Sequence, residues 1–528
     1  MLPARIFLGC LRFALALLVL AGSTANAASL RIATAFDPQT MDPHALALLY
    51  HSRVAFQVYE SLVGRDEKFQ LEPALAVAWQ MTAPTRWRFR LRPDVSFHDG
   101  TPLTADDVVF SLERAMVAPS QRAFQLKGVT AVRKLDPLQV EFQLEAPDAV
   151  LPEKLQFVAI MSKAWSEKNG VARAQDFNAK QETHAIRHAN GTGPMRLERY
   201  EPDVRTLLRR HEAWWGWADK RHGNLQQVSW VTIKSDATRL AALASGEVDM
   251  VLDPPYQDIA RLKNDTRITL LQTADIGQQY LTFDQARDEL QHSDVKGRNP
   301  FKDLRVRKAV YHAIDVPLIV DKVLRGQAVP TGAFLSPLVD GSPAELDRRL
   351  PYDPARSRLL LGEAGYPNGF AVTLDCVNVA WRENVCQAVS AMLTQVGIRT
   401  TLRSSPTSQF FPKLSQGTAS FVEFGWTASP DAWNSLNGLF RTFDRSGLGT
   451  FNAGRYSNPK VDSLIDDIRT EPDATRRRAM VTTVLRLVGE DLPFIPLYRR
   501  TLAWAMAKKV SAVQWPNDTI ELRWVRVR

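Results

Sequence analysis

His98-Asp99 sets an imidazole beside a carboxylate, the combination a general base needs, and His211-Glu212 opens like the His-Glu-x-x-His helix of a zinc protease. Neither is completed. No nucleophile accompanies His98-Asp99, and Gly100 follows at once, so a turn is the better account. Trp215 stands where the second zinc-binding histidine would have to be, so a metal could not gain two ligands on one helix face. Gly191-Thr192-Gly193-Pro194 lacks both the third glycine of a dinucleotide fingerprint and the Gly-Lys-Ser/Thr end of a phosphate loop, which leaves a tight backbone turn. The chain contains no Gly-x-Ser-x-Gly, His-Glu-x-x-His or Cys-x-x-Cys, and no histidine follows His312. An extracytoplasmic hydrolase is therefore the weaker class of function, no cofactor is expected, and direct metal ligation by histidine in the C-terminal part is disfavoured.

The elements that must position any site are legible in places. Trp87 to Leu91 alternates apolar residues with arginine, the period of a strand with one buried face. After the Asp99-Gly100 turn, Thr104 and Asp107 form a cap, and Val108, Val109, Leu112 and Ala115 stripe the helix that follows. Residues 230–252 read as strand, helix capped near Ser235 or Asp236, Gly246 stop and strand. Asp353-Pro354 and Asn458-Pro459 each start a helix by a cap followed by a first-turn proline, and Gly365 ends the first of these. Residues 370–376, 383–396 and 398–402 read as β-α-β, the unit of a doubly wound lobe. A helix is expected over residues 45–63, with Tyr50, Tyr59 and Glu60 facing either a cleft or the core.

Of 528 residues, 45% are hydrophobic and 23% charged, a profile that supports two or three domains with substantial cores. Arg5 and Arg12, the apolar run Phe13 to Ala21 and Ala25-Asn26-Ala27 read as a cleavable secretory leader, residues 1–27. Too little apolar sequence precedes Cys10 for it to be a lipid anchor. Loss of the leader removes two arginines and no acid, so the net charge falls from +9 to +7. Basic residues lie among acids with no aromatic interleaving, which argues against nucleic acid. Cys376 and Cys386 then remain in a compartment that permits disulfides. A strand carrying one and a helix carrying the other could approach or diverge, so bonded and free thiols both stand.

The stretch from Glu72 to Ala115, with its P-x-LA-x-x-W, F-x-LR-x-x-V-x-FHDG and LTA-x-DVVFSLE phrases, resembles the signature of the extracellular solute-binding proteins of family 5, the peptide- and nickel-type receptors of ABC importers. DPQTMDPH, VYESLV, NGTGPMRLERY, the phrase from Trp230 to Leu252, NPFKDLRVRKAV and FIPLY resemble the family in the expected order. The resemblance implies an α/β, two-lobed periplasmic-binding-protein fold (type II, cluster C) with an additional accessory domain. It places lobe I at 28–68, 189–283 and 497–528, the accessory domain at 69–188 and lobe II at 284–496, with a hinge near Asp284. It further implies a periplasmic, non-enzymatic monomer that captures a small molecule or short peptide and hands it to an ABC permease in the inner membrane. A metal chelate, a glutathione-like conjugate or a sugar stands as the alternative ligand.

The resemblance centres the ligand site on residues 421–440, where peptide receptors present an aspartate to the ligand's ammonium beside a tryptophan wall. Asp431 is the matching acid and Trp426 the matching wall. This chain has Ala428-Ser429-Pro430 before a single aspartate instead of a richer acidic and glycine-rich phrase, so Asp431 stands equally as an exposed turn acid. Arg382 lies where some peptide receptors hold a carboxylate-binding arginine, or else is simply solvated. Trp433, Asn434 and Tyr50 complete the expected ligand contacts, and Arg441 is a weaker one.

Overall fold

The computed structural model describes residues 28–444 and 448–528. The expected leader, with Cys10, lies outside them. In the first lobe β1 (Ser29–Thr34) runs parallel to β8 (Gln227–Thr232) and to β9 (Met250–Leu252). Strands β7 (Arg205–Arg210) and β6 (Met195–Glu201) extend this sheet antiparallel beyond β8. Between β8 and β9 runs α4 (Asp236–Ser245), which the Ser235 hydroxyl caps by accepting from the Thr238 amide at 3.3 Å. Gly246, in the left-handed region at φ 79°, ends it.

In the second lobe β13 (Phe370–Val377) pairs in parallel with β14 (Ile398–Ser405) and with β15 (Phe421–Trp426), and α7 (Ala380–Thr394) connects the first two. A β-α-β crossover buries the sheet under the helix, the arrangement expected from residues 370–402. Asp353 caps α6 (Pro354–Glu363) by accepting from the Arg356 amide at 2.8 Å, and Asn458 caps α9 (Pro459–Thr470) by accepting from that of Lys460 at 3.0 Å.

The two lobes share one strand. In β16 (Phe494–Ala507) the first half pairs with β11 (Gln278–Phe283) and β12 (Ala328–Pro330) of the second lobe. Its second half pairs with β10 (Ile268–Ala274) and β9 of the first. Burial along β16 relaxes at Arg500 and Thr501, where its partners change. The other crossing is the short link Asp275–Gly277 between β10 and β11. β11 pairs with β15, so the passage between lobes precedes the expected Asp284 and lies before β11.

A separate antiparallel sheet, ordered β2 (Ala76–Ala83), β3 (Arg86–Leu91), β5 (Gln139–Leu144) and β4 (Val129–Asp136), carries α2 (Ala105–Met116). Trp87, Phe89 and Leu91 bury one face of β3 in a core of its own with Phe97, Leu112 and Phe142. The Asp107 carboxylate accepts from the Thr104 amide at 2.9 Å, closing the expected capping box.

Helix α1 (Leu49–Val58) is shorter than expected at both ends. Before it the chain is held by Asp42, whose carboxylate accepts from Arg114 of α2 at 2.9 and 2.6 Å with both side chains 1% exposed. After it Tyr59 turns into the core. Gly191 and Gly193 adjoin this end for a reason other than φ. A Cβ on Gly191 would lie 2.0 Å from the Val58 carbonyl oxygen, and the Gly193 amide donates to that same oxygen at 2.9 Å. His98 Nε2 lies 3.0 Å from the Gly193 carbonyl and Asp99 accepts from the Thr101 amide at 3.0 Å, so this pair builds a turn. Trp214 and Trp215 pack together at 5.2 Å and both donate to Glu60 at 3.1 Å, which ties Glu60 to packing.

Cys376 at the end of β13 and Cys386 on α7 form a disulfide inside the second lobe's core. A bridge over a sequence separation of 10 is expected to contribute roughly 2–3 kcal/mol through the unfolded chain. The double variant Cys376→Ser, Cys386→Ser should lower urea stability by that amount, and unreduced leader-free protein should show no free thiol in denaturant. Two free thiols would contradict the bridge.

Candidate functional site

The register of β16 aims both lobes at one place. Leu252, the last residue of β9, lies opposite Trp504, while Met250 lies opposite Met506, so β9 points its carboxyl end at the crossing. From the other side, Trp426 at the carboxyl end of β15 lies opposite Gln278, and the next residue, Gln279, lies opposite Tyr498. Open α/β sheets bind ligands outside the carboxyl ends of their strands. Here the two sets of ends face each other across the crossing, which makes the space between them the candidate site.

Its floor is a seam of charged and phenolic side chains. Arg500 of β16 donates to Asp275 of the link at 2.7 Å, and the Asp275 amide donates to the Arg500 carbonyl at 2.8 Å, so one pair ties the two crossings together. Tyr256 lies against this pair, and burial pushes its phenol up, opposed by Arg500 and reinforced by the Asp275 and Asp518 carboxylates. Toward the first lobe, Arg53 of α1 donates to Asp253 at 2.7 and 3.2 Å and pairs with Asp518 at 2.6 Å. Burial pushes Asp518 up to about 6 against the pull of Arg53, and the neighbouring Asp253 adds to the rise. Toward the second lobe, Arg382 in the first turn of α7 donates to Gln279 at 2.7 Å and pairs with Glu423 of β15 at 3.3 Å. The Tyr498 hydroxyl and both Glu423 oxygens are buried without a hydrogen-bond partner among the described residues.

Apolar surface flanks the floor. Phe36, just beyond β1, is 56% exposed and stacks on Tyr50 at 5.5 Å. On the second lobe Trp426 meets the half-exposed Phe451 at 5.0 Å and donates to the Ser435 hydroxyl at 2.9 Å.

Of the residues singled out in the sequence, the structure brings Trp426 and Arg382 to the crossing, and Tyr50 to the first lobe's rim. Asp431 has another occupation: it caps α8 (Ala432–Leu439), accepting from the Asn434 amide at 3.1 Å and from the Ser429 hydroxyl at 2.9 Å. Burial pushes its carboxyl up, and those two donors and Lys154 oppose the push. Asn434 has an exposed side chain and contributes its backbone amide. Trp433 lies between Lys154 of α3 (Leu151–Leu155) at 5.2 Å and Arg469 at 5.3 Å, facing the accessory sheet. A gap of about 170 Å³ there is lined by Trp79, Trp87, Glu153, Asp340, Asp431 and Trp433. Arg441 pairs with Asp462 and Asp466 away from the crossing, at 2.8 and 3.0 Å.

No motif in the sequence marks Glu423, Asp253, Asp275, Arg500 or Tyr498. Glu423 did carry a signal, a lone acid in the apolar strand FVEFGW. Burial pushes this carboxyl up to about 7, opposed by Arg382. A glutamate raised from its ordinary value holds its proton longer folded than unfolded, so its contribution is present below about pH 4.5 and is lost as pH rises through 7. Relative to Glu423→Gln, the wild type should lose on the order of 3 kcal/mol between pH 4.5 and 8. Urea unfolding of both proteins at the two pH values checks this; an unchanged difference would refute it.

Among the described residues no three or more His, Cys, Asp or Glu side chains are grouped to hold a metal ion, and no helix is long and apolar enough to cross a membrane. A profile of the bacterial extracellular solute-binding proteins, family 5 Middle, matches residues 70–447. The glutathione-binding protein GsiB of Shigella dysenteriae serotype 1 is 26% identical over 491 residues, which cover 91% of this chain and 90% of that protein. Two solved structures share the fold. HbpA2 of Haemophilus parasuis has a TM-score of 0.82 at 23% identity, with 95% of this chain and 100% of that one covered. The periplasmic binding protein DppA of Helicobacter pylori, in complex with the peptide STSA, has a TM-score of 0.72 at 23% identity, with 95% and 98% covered.

Proposed function

Because the chain belongs to the bacterial extracellular solute-binding proteins of family 5, we propose that it is the substrate-binding component of an ABC importer and that its solute is a small peptide or peptide-like compound. The observation that carries the ligand class is the crevice floor, where half-exposed groups of both signs, Arg500 and Asp253, lie between aromatic walls. A zwitterion with apolar side chains complements such a surface, each charge finding a partner as water is excluded. Glutathione, named for the relative from Shigella dysenteriae, is a compound of this class.

In this reading Trp426, Arg382 and Tyr50 line the bound solute. Asp431, Trp433 and Asn434 act one step away, by setting the start of α8 and its seat against the accessory sheet. Closure is a rotation about the link Asp275–Gly277 and the middle of β16, with the accessory sheet travelling with the first lobe. The mature protein is periplasmic once the leader is removed. It works as a monomer, hands its solute to an inner-membrane permease, binds no nucleic acid and catalyses no reaction.

A thermal-shift panel on refolded, ligand-free mature protein tests the ligand class, with di- and tripeptides, glutathione, a monosaccharide, and nickel with and without a chelator. A ligand at 100 times its dissociation constant adds about 2.7 kcal/mol, which a melting curve resolves. Stabilisation by free peptides or glutathione is the expected result. Stabilisation by the chelate or sugar alone, or by nothing, would remove the peptide reading.

A further inference from the structure

We propose that Asp253, one residue beyond β9, receives the ammonium group of the solute; the assignment rests on the peptide reading above and names the residue that implements it. Position is the first argument. β9 ends against the crossing, and Asp253 takes a left-handed backbone at φ 56°, which breaks the strand's alternation at the point where the crevice opens.

Exposure is the second. Asp253 is 35% exposed, against 13% for Asp518 and 10% for Asp275, so of these floor carboxylates it is the one a solute can touch. Charge balance is the third. Arg53 faces both Asp253 and Asp518, and Arg500 is taken by Asp275, so three carboxylates share two guanidinium groups. The nearby Arg239 pairs with its own Asp236 at 2.6 Å and donates to the backbone carbonyl of Asp253. Against the upward push of burial, Arg53 and the charge of Arg239 hold the Asp253 carboxyl below its ordinary value, so Asp253 stays ionised and the surplus is felt at Asp518. A surplus carboxylate in a water-poor floor is costly unless it keeps a proton or meets a cation, and an arriving ammonium supplies the cation.

An independent observation marks the same floor as built for a polar guest. The Tyr498 hydroxyl, on a side chain 1% exposed, has no hydrogen-bond partner among the described residues, and it lies in the fields of Glu423 and Arg382 first and of Tyr256 and Arg500 after them, at the second-lobe end of the floor. Asp431 is the competing carboxylate; each of the two already accepts hydrogen bonds, but Asp431 is only 8% exposed and is held inside the cap of α8 by Asn434 and Ser429.

Titration calorimetry with trialanine and N-acetyl-trialanine separates the possibilities. Wild-type protein should prefer the free amine by about 30-fold or more, the loss that follows when one member of a desolvated charge pair is removed. Asp253→Asn should bind trialanine more weakly by a similar factor and become indifferent to acetylation. Should that variant not fold, Asp253→Glu keeps the charge but moves it, and should shift trialanine affinity at least tenfold with little change for the acetylated peptide. A persistent preference for the free amine in Asp253→Asn, unchanged trialanine affinity in Asp253→Glu, or loss of the preference in Asp431→Asn instead would overturn the assignment while sparing the peptide reading. Wild-type protein that binds neither trialanine nor glutathione would overturn the peptide reading, and this assignment with it.

Discussion

Arg114→Ala is expected to destabilise the protein by about 3–5 kcal/mol at neutral pH, the cost of leaving one member of a buried ion pair without the other. Arg114 and Asp42 are each 1% exposed, and the guanidinium also donates to the Val171 and Arg173 carbonyls, so the pair knits α2 to two separate stretches of chain. Burial alone would push the Asp42 carboxyl up, yet Arg114 holds it down at about 2. The wild-type carboxylate therefore contributes stability above its ordinary value near 3.8, and that contribution is lost as pH falls through 2. Without Arg114 the sign reverses: Asp42 would be raised, so the variant's deficit should grow as pH rises from 4 to 7. Adding Asp42→Asn to Arg114→Met should recover much of the loss, because both buried charges then leave together. Urea unfolding at pH 4 and 7 reads all three variants. A deficit under about 1 kcal/mol at pH 7 would mean that the pair is not holding these segments.

Gly277→Val should weaken solute binding by roughly 10- to 100-fold while lowering the melting temperature by only a few degrees. A Cβ on Gly277 would lie 2.6 Å from the Trp426 carbonyl oxygen and 3.2 Å from Asp275 Oδ1, so the link cannot keep its path beside the end of β15. Overpacking of this kind costs about 1–3 kcal/mol. The strain falls where the lobes turn and where Trp426 forms the wall, so most of it should appear as a closed state that is harder to reach. Parallel calorimetry and melting curves separate the two effects. Equal affinity in the valine variant would show that closure does not bend this link.

Whatever depends on neighbours in sequence was readable. Thr104 with Asp107, Asp353 with Pro354 and Asn458 with Pro459 each complete their cap within one helical turn, and each is present. The floor of the crevice was not readable, because Arg53, Asp253, Asp275, Arg500 and Asp518 come from separate segments and meet only through β16. Asp431 shows the limit of a motif. Its match to a ligand-binding aspartate and its ability to cap α8 use the same oxygens, and in the structure the local donors hold them. Gly191 and Gly193 are legible as a backbone feature, but the partner that demands them, the Val58 carbonyl, lies in α1.

The strand shared by both lobes has a consequence for how the chain is made. Residues 494–507 sit in the middle of the twelve-stranded sheet, yet they follow every other strand of that sheet in chain order. A nascent chain that already carries every other strand of that sheet still has open edges on both sides of the gap, at β9 and β10 and at β11 and β12. Neither lobe can be finished from its own residues. Closure of the sheet therefore waits for residues 494–507, and a chain cut before them would leave both lobes with unpaired strand edges at their junction.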